Sequence, residues 1–246
     1  MLDFGCALRP FDFLVSETNE LRYQPKESDP YSSHAQILEL VGEGNGRRLL
    51  DVGSAQGALA QRFMERKFEV TCIEGNPELA AAARGKCHQM IVADLDQELP
   101  QLTGQFDVIV YGDILEHLKN PLEVFVGFNR QLGPSGKVIV SVPNFVHLFV
   151  RLSILVGRFE YMDRGILDRT HLRFFTHASF QRFLAQAGLT VDELLVTPAP
   201  LLLLVPRRHH GWWLRTLNGL NALLARCWKT MFGYQFIAVA RPRRTS

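Results

Sequence analysis

Two carboxylates and two histidines in this chain stand where a fold could put them to chemical use. Asp51 ends the run Arg48-Leu49-Leu50-Asp51-Val52 just ahead of a small-residue turn, Gly53-Ser54-Ala55-Gln56-Gly57, and Glu74 closes the next apolar run. An apolar run that empties into such a turn and then into Ala58-Leu59-Ala60-Gln61-Arg62-Phe63-Met64 reads as strand, tight loop and helix. That order leaves backbone N–H groups free at a helix N-terminus on the carboxyl edge of a parallel sheet, where α/β proteins hold small charged ligands.

The ligand is narrowed by the details. A dinucleotide site wants G-x-G-x-x-G so that a pyrophosphate can approach the backbone, and Gly53, Ala55 and Ala58 match it poorly. Glu74, roughly 20 residues after the turn, can accept hydrogen bonds from two ribose hydroxyls. The combination suits a ribose with no pyrophosphate beside it. Alanine at position 55 costs little provided it keeps negative φ.

These stretches resemble the class I S-adenosylmethionine-dependent methyltransferases. The resemblance runs over about residues 30–197, through Val92-Ala93-Asp94-Leu95, Phe106-Asp107-Val108-Ile109-Val110-Tyr111-Gly112-Asp113-Ile114-Leu115-Glu116-His117-Leu118 and Leu132-Gly133-Pro134 to Val142-Pro143-Asn144. It implies S-adenosylmethionine as cofactor. By the same resemblance Gly53 and Gly57 let the backbone approach the methionine portion, Asp51 orients that loop or meets the amino group, and Glu74 takes the ribose hydroxyls. Asp94 and Leu95 face the adenine, Tyr111 and Gly112 offer backbone groups to the methionine amine, and Ser54 and Gly75 complete the cofactor-binding set. A turn or helix cap is the structural alternative for Asp94.

Methyl transfer from a sulfonium needs a nucleophile held in line with the C–S bond and, for a hydroxyl, a base for its proton. Histidine suits that task near neutrality. His117 follows the fourth strand, at the sheet's active edge. His171 lies in Asp168-Arg169-Thr170-His171-Leu172-Arg173-Phe174-Phe175, which looks like the Thr-His-x-x-x-Phe segment of quinone-biosynthesis and glycan-cluster O-methyltransferases. Each is a candidate base, with cofactor-pocket support as the alternative for His117 and a loop tie to Asp168 for His171. His34, His177, His209 and His210 read as surface residues.

The elements that must position these groups alternate along the chain. Strands are predicted at Arg48 to Val52, up to Glu74, at Met90 to Ala93, Phe106 to Tyr111, Lys137 to Val142, Thr190 to Val196 and Tyr234 to Ala240. Helices are predicted at Ser33 to Val41, after Gly57, at Pro77 to Arg84, Pro121 to Gln131, Val146 to Val156 and Ser179 to Ala187. This predicts an α/β doubly wound, mostly parallel seven-stranded sheet, with a helical insertion between the last two strands; the resemblance places the last strand antiparallel. One domain is expected, comprising a cofactor-binding core at about 33–143, a substrate-covering region at about 144–178 and an amphipathic insertion at about 198–232.

The insertion puts Trp213, Leu217, Leu220, Leu224, Cys227, Trp228 and Met231 on one helical stripe, with Arg215, Arg226 and Lys229 opposite. No acid follows Glu193, whereas Arg207, Arg208, Arg215, Arg226, Lys229, Arg241, Arg243 and Arg244 do. In one reading the stripe packs on the protein and the arginines are solvated. In the other, residues 201–232 lie on an anionic membrane surface.

The 246 residues carry a net charge of +2. Cys6, Cys72, Cys87 and Cys227 have no metal-type spacing, so no metal is expected, and a reducing cytoplasm fits them. Apolar runs fall short of the roughly 18 residues that would span a bilayer, leaving at most a peripheral place on the inner membrane surface. Asp3, Arg9, Pro10, Asp12 and Glu17 break any secretory segment, so the N-terminus reads as mature. The leading function is O-methylation of a small-molecule, glycan or lipid-linked hydroxyl. A non-catalytic cofactor-binding adaptor is the alternative. A nucleic-acid methyltransferase is disfavoured, because Gly112-Asp113-Ile114-Leu115 is not the motif that stacks a flipped base.

Overall fold

The computed structural model describes residues 29–243; Cys6, the acids of the first 20 residues and Arg244 lie outside them. Its core is a seven-stranded sheet in the order β3-β2-β1-β4-β5-β7-β6. The strands are β1 (Arg48–Val52), β2 (Glu69–Glu74), β3 (Gln89–Val92), β4 (Phe106–Gly112), β5 (Leu132–Pro143), β6 (Leu189–Thr197) and β7 (Gln235–Pro242). β1 to β5 pair in parallel, and β7 runs antiparallel between β5 and β6. The expected architecture is therefore present, with β5 beginning five residues earlier than the Lys137 start read from its apolar run.

The central strands β1, β2 and β4 are apolar on both faces because helices cover both. On one face Leu50, Val52, Ile73 and Tyr111 meet Phe125 of α4 (Pro121–Asn129) and Phe180 of α6 (His177–Gln186). On the other Leu49, Val70 and Val110 meet Ile37 of α1 (Ser33–Val41) and Phe63 of α2 (Ala58–Glu65). Phe63, Phe125 and Phe180 are fully buried, each contributing roughly 1.5–3 kcal/mol.

Local sequence sets the helix boundaries. Ser32 caps α1 through the Ala35 N–H. Asn76 caps α3 (Pro77–Ala83), with Pro77 in the first turn where its missing N–H costs nothing. Thr176 and Ser179 form a capping box on α6. α5 (Leu148–Leu155) starts from His147, whose Nδ1 accepts the Phe149 N–H.

The chain runs from β1 outward to β3 and returns to β4, so the crevice at the carboxyl ends of β1 and β4 is the topological switch point. β6, being antiparallel to β7, is parallel to β5 and ends at the same edge, where Thr197 pairs with Gln235. The segment from 198 to 234 therefore leaves and rejoins the sheet beside that crevice. It holds α7 (Leu201–Leu204), α8 (Trp212–Cys227) and α9 (Lys229–Phe232). Asn144 ties it down, donating through Nδ2 to the Gly233 carbonyl at 2.7 Å and the Thr230 carbonyl at 3.2 Å.

The expected stripe does not form the contact. α8 buries Leu214, Asn218, Ala222 and Ala225, while Trp213, Leu217, Leu220, Leu224 and Trp228 are exposed. Small residues and Asn218, whose Nδ2 donates to Asp29 at 3.0 Å, allow close approach. The large apolar face is left outside. The helix also stops at Cys227, so Met231 belongs to α9. No described helix is long and apolar enough to cross a membrane.

Candidate active site

The glycine loop is shaped by backbone conformation and packing together. Gly53 and Gly57 adopt φ of 76° and 73°. A Cβ on Gly53 would come within 2.7 Å of Ile114, and one on Gly57 within 2.9 Å of the Ala83 Cβ, so both positions demand glycine on protein packing alone. Ala55 does not keep the negative φ assumed for it: it sits at φ 47°. Its N–H is held by Glu74 Oε2 at 2.8 Å, which offsets the cost of a left-handed alanine.

Glu74 also accepts the Asn76 N–H through Oε1 at 2.9 Å. It thus braces the glycine loop against the end of β2, and each oxygen keeps acceptor capacity for a hydroxyl. Asp94 is exposed and accepts the Asp96 N–H at 3.0 Å, the turn-cap alternative for this residue. Asp96 in turn accepts the Lys119 N–H at 2.8 Å, joining this turn to the loop after β4. Leu95 packs against the core and Gly75 is exposed at the tip of β2. Tyr111 points its side chain into the core, its hydroxyl near Phe125 and Asn129, so only its backbone faces the crevice. Gly112 closes β4, paired with Ser141.

The residues in this crevice fit the nucleoside cofactor that the resemblance implies. α2 has no side-chain cap at its N-terminus, leaving N–H groups that would take a carboxylate. Asp51 Oδ2 and Ser54 Oγ are buried with no hydrogen-bond partner among the described residues. Burial, then the neighbouring Cys87 and Glu74, push the Asp51 carboxyl up from 3.8 to about 7. An unpaired buried acid beside an open helix end awaits a cationic or donor group. Replacing Glu74 with alanine is expected to weaken cofactor binding by about 1–3 kcal/mol, a loss of hydrogen bonds to a charged acceptor; calorimetry showing an unchanged Kd would remove Glu74 from the site.

The second half of the site is built on the loop after β4. His117 lies in a short 3-10 turn, Leu115–His117, and its ring meets that of His171 edge to face at 4.8 Å between centroids. Segment 165–176 is anchored there, since the Leu172 and Arg173 N–H groups both donate to the Glu116 carbonyl. Thr170 Oγ1 donates to Asp168 at 2.7 Å, so both Thr170 oxygens near His117 Nδ1, at 3.1 and 3.2 Å, act as acceptors. His117 therefore carries its proton on Nδ1 and its lone pair on Nε2. The Ile166 carbonyl fixes His171 the same way, 3.1 Å from its Nδ1.

Burial first, then the neighbouring His171, lowers the His117 pKa from 6.5, so the ring is neutral at pH 7. His117 is half-buried, whereas His171 is buried. Of the other histidines, His209 and His210 are exposed as expected, while His34 and His177 are half-buried.

Three acids shape this half of the site; Asp168 was expected as a loop tie, whereas Glu116 and Asp113 were given no role from the sequence. Glu116 is buried with both carboxylate oxygens lacking a hydrogen-bond partner among the described residues; burial above all, then Asp113, raises its pKa well above 4.5. Asp113, at φ 54°, accepts Ser141 Oγ at 2.6 Å and Gln235 Nε2 at 2.7 Å, locking the loop to β5 and β7. Asp168 orients Thr170. The position of Asp113, an acid just past a strand end like Glu74, was the one available signal.

A family model described as a methyltransferase domain matches residues 25–194. The chain is similar to a ubiquinone biosynthesis O-methyltransferase of Pseudomonas aeruginosa, 27% identical over 161 residues, covering 61% of this chain and 67% of that one. The fold is similar to that of an S-adenosylmethionine-dependent methyltransferase from Mesorhizobium loti, at TM-score 0.59 and 16% identity, covering 85% and 98% of the two chains. It also resembles the magnesium protoporphyrin IX methyltransferase of Synechocystis, solved with bound SAH, at TM-score 0.58 and 13% identity over 87% and 83% of the chains.

Proposed function

The chain belongs to the methyltransferase-domain family and takes S-adenosylmethionine as its cofactor; from that premise we propose that it O-methylates a hydroxyl of a small-molecule, glycan or lipid-linked acceptor, with His117 as the base. The observation that carries this reading is the His117 ring: half-buried, neutral, and held through Nδ1 so that Nε2 is the proton acceptor. Bound cofactor supplies an electrophilic methyl carbon on a sulfonium. His117 Nε2 would take the proton of an acceptor hydroxyl presented to that carbon. His171 and Thr170 hold the base in its tautomer and angle. The carboxylates Asp51 and Glu74 and the glycine loop fix the cofactor, and segment 144–178 covers the acceptor.

Incubating the protein with methyl-labelled cofactor and a catechol or quinol acceptor, or with lipid and glycan extracts, tests this. Label is expected on oxygen, with demethylated cofactor released only when acceptor is present. Label on nitrogen or carbon would contradict the O-methylation; cofactor bound but never turned over would favour the adaptor reading.

One observation favours a second reading of the same residues. Glu116, His117 and His171 each offer a ligand atom, all within 4.8 Å of one another, a set that could hold a divalent cation polarising the acceptor oxygen. With His117 as base, chelator treatment is expected to leave the rate within twofold. A rate abolished by chelator and restored by magnesium or zinc would establish the cation instead.

A further inference from the structure

We propose that the outer face of α8 docks on an anionic lipid bilayer and so presents the sheet's carboxyl edge to a membrane-borne acceptor; the second half of this statement rests on the methyl-transfer reading. Counted at about 100° per residue, Trp212, Trp213, Leu217, Leu220, Leu223 and Leu224 cover an arc of roughly 140° opposite the buried stripe of Leu214, Asn218, Ala222 and Ala225. All six are exposed, Trp212 by 81%. Leu203 and Leu204 of α7, just ahead of α8, are exposed as well. A helix pinned by small residues on one side and carrying tryptophan and leucine on the other has the pattern of an interfacial helix.

Charge selects the occupant. Arg215 and Arg226 fall on the flank between the buried stripe and the apolar arc, not opposite the arc as the sequence suggested, and both are exposed. In that position their guanidinium groups would sit at headgroup level while the arc enters the acyl boundary. Arg208 adds a further exposed cation ahead of the helix, and the chain carries no acid after Glu193 to oppose an anionic surface. A second copy of the chain would bring the same cations face to face.

Position supplies the use. The insertion leaves β6 at Thr197 and rejoins at Gln235, whose Nε2 holds Asp113 in the loop that carries His117. α5 emerges from the same edge and ends in exposed Leu155 and Val156. A bilayer contacting α8 would therefore lie beside the crevice.

Co-sedimentation of the purified full chain, without cofactor, with vesicles of phosphatidylcholine alone or mixed with phosphatidylglycerol tests the proposal. Pelleting is expected with the mixed vesicles only. The variant Trp212→Glu/Leu220→Glu, altered only at exposed positions, is expected to lose at least tenfold in partitioning with an unchanged circular dichroism spectrum. Arg215→Glu/Arg226→Glu is expected to weaken it by fivefold or more, and salt to do the same. Binding to both vesicle types alike, or to neither, would overturn the proposal, as would a stable dimer by light scattering that Trp212→Glu/Leu220→Glu dissociates. Because the measurement needs no cofactor, its failure leaves the methyl-transfer reading standing, and absence of turnover leaves the docking intact.

Discussion

Exchanging His117 for glutamine is expected to lower kcat by about 10²–10⁴-fold, the usual contribution of a positioned base, while cofactor Kd stays within twofold. His117 lies on the loop after β4 and is not among the groups assigned to the nucleoside, so binding and turnover should separate. In the native protein saturated with cofactor, kcat/KM for the acceptor should be flat through pH 7 and fall below it, through a value under 6.5, because burial and His171 both disfavour the imidazolium. A glutamine variant that keeps a tenth or more of the native rate would show that His117 only packs. His171→Gln should behave differently: it removes the ring against which His117 rests, so part of its loss should appear as a shift of the acidic limb.

Asparagine at position 51 is expected to act in opposite directions on stability and on binding. The folded-state carboxyl titrates near 7 against an ordinary 3.8, so between those values the folded chain holds a proton that the unfolded chain has lost. Stability then falls as pH rises through that window, and above it the buried charge costs roughly 4 kcal/mol. Asp51→Asn removes that charge, so ligand-free protein at pH 8 should gain about 2–4 kcal/mol, with the gain shrinking as pH falls from about 7 towards 4. Affinity for the cofactor should drop about 10–100-fold, the loss of a charge-assisted contact to an amine. Thermal unfolding as a function of pH, with and without demethylated cofactor, reads both effects. An Asp51→Asn protein less stable than the native one at pH 8 would mean that the carboxylate is already satisfied within the fold.

The two predictions draw on features that differed in how visible they were. The central strands read cleanly because they are apolar on both faces, and Asp51 and Glu74 were found because acids at strand ends are rare without a task. What Glu74 does inside the fold was hidden. Its grip on the Ala55 N–H holds an alanine at positive φ, and no local rule expects an L residue there without the distant partner. Glu116 escaped notice because one acid between Leu115 and His117 gives no sign that both its oxygens are buried. On α8 the largest apolar residues suggested the packed face, yet contact is made by Leu214, Ala222 and Ala225, with Asn218 reaching Asp29 some 189 residues away in sequence. Close approach favours small side chains, and a helical stripe of large ones marks an apolar face without saying what covers it.

The central claim, that a sulfonium nucleoside is held at the ends of β1 and β2 by Asp51, Glu74 and the open N-terminus of α2, meets its most direct test in calorimetric titration of ligand-free protein with S-adenosylmethionine and its demethylated product. One site per chain with micromolar affinity, and release of a proton near pH 7 as Asp51 meets the incoming amine, is the expected result. No heat and no thermal stabilisation at millimolar ligand would contradict it.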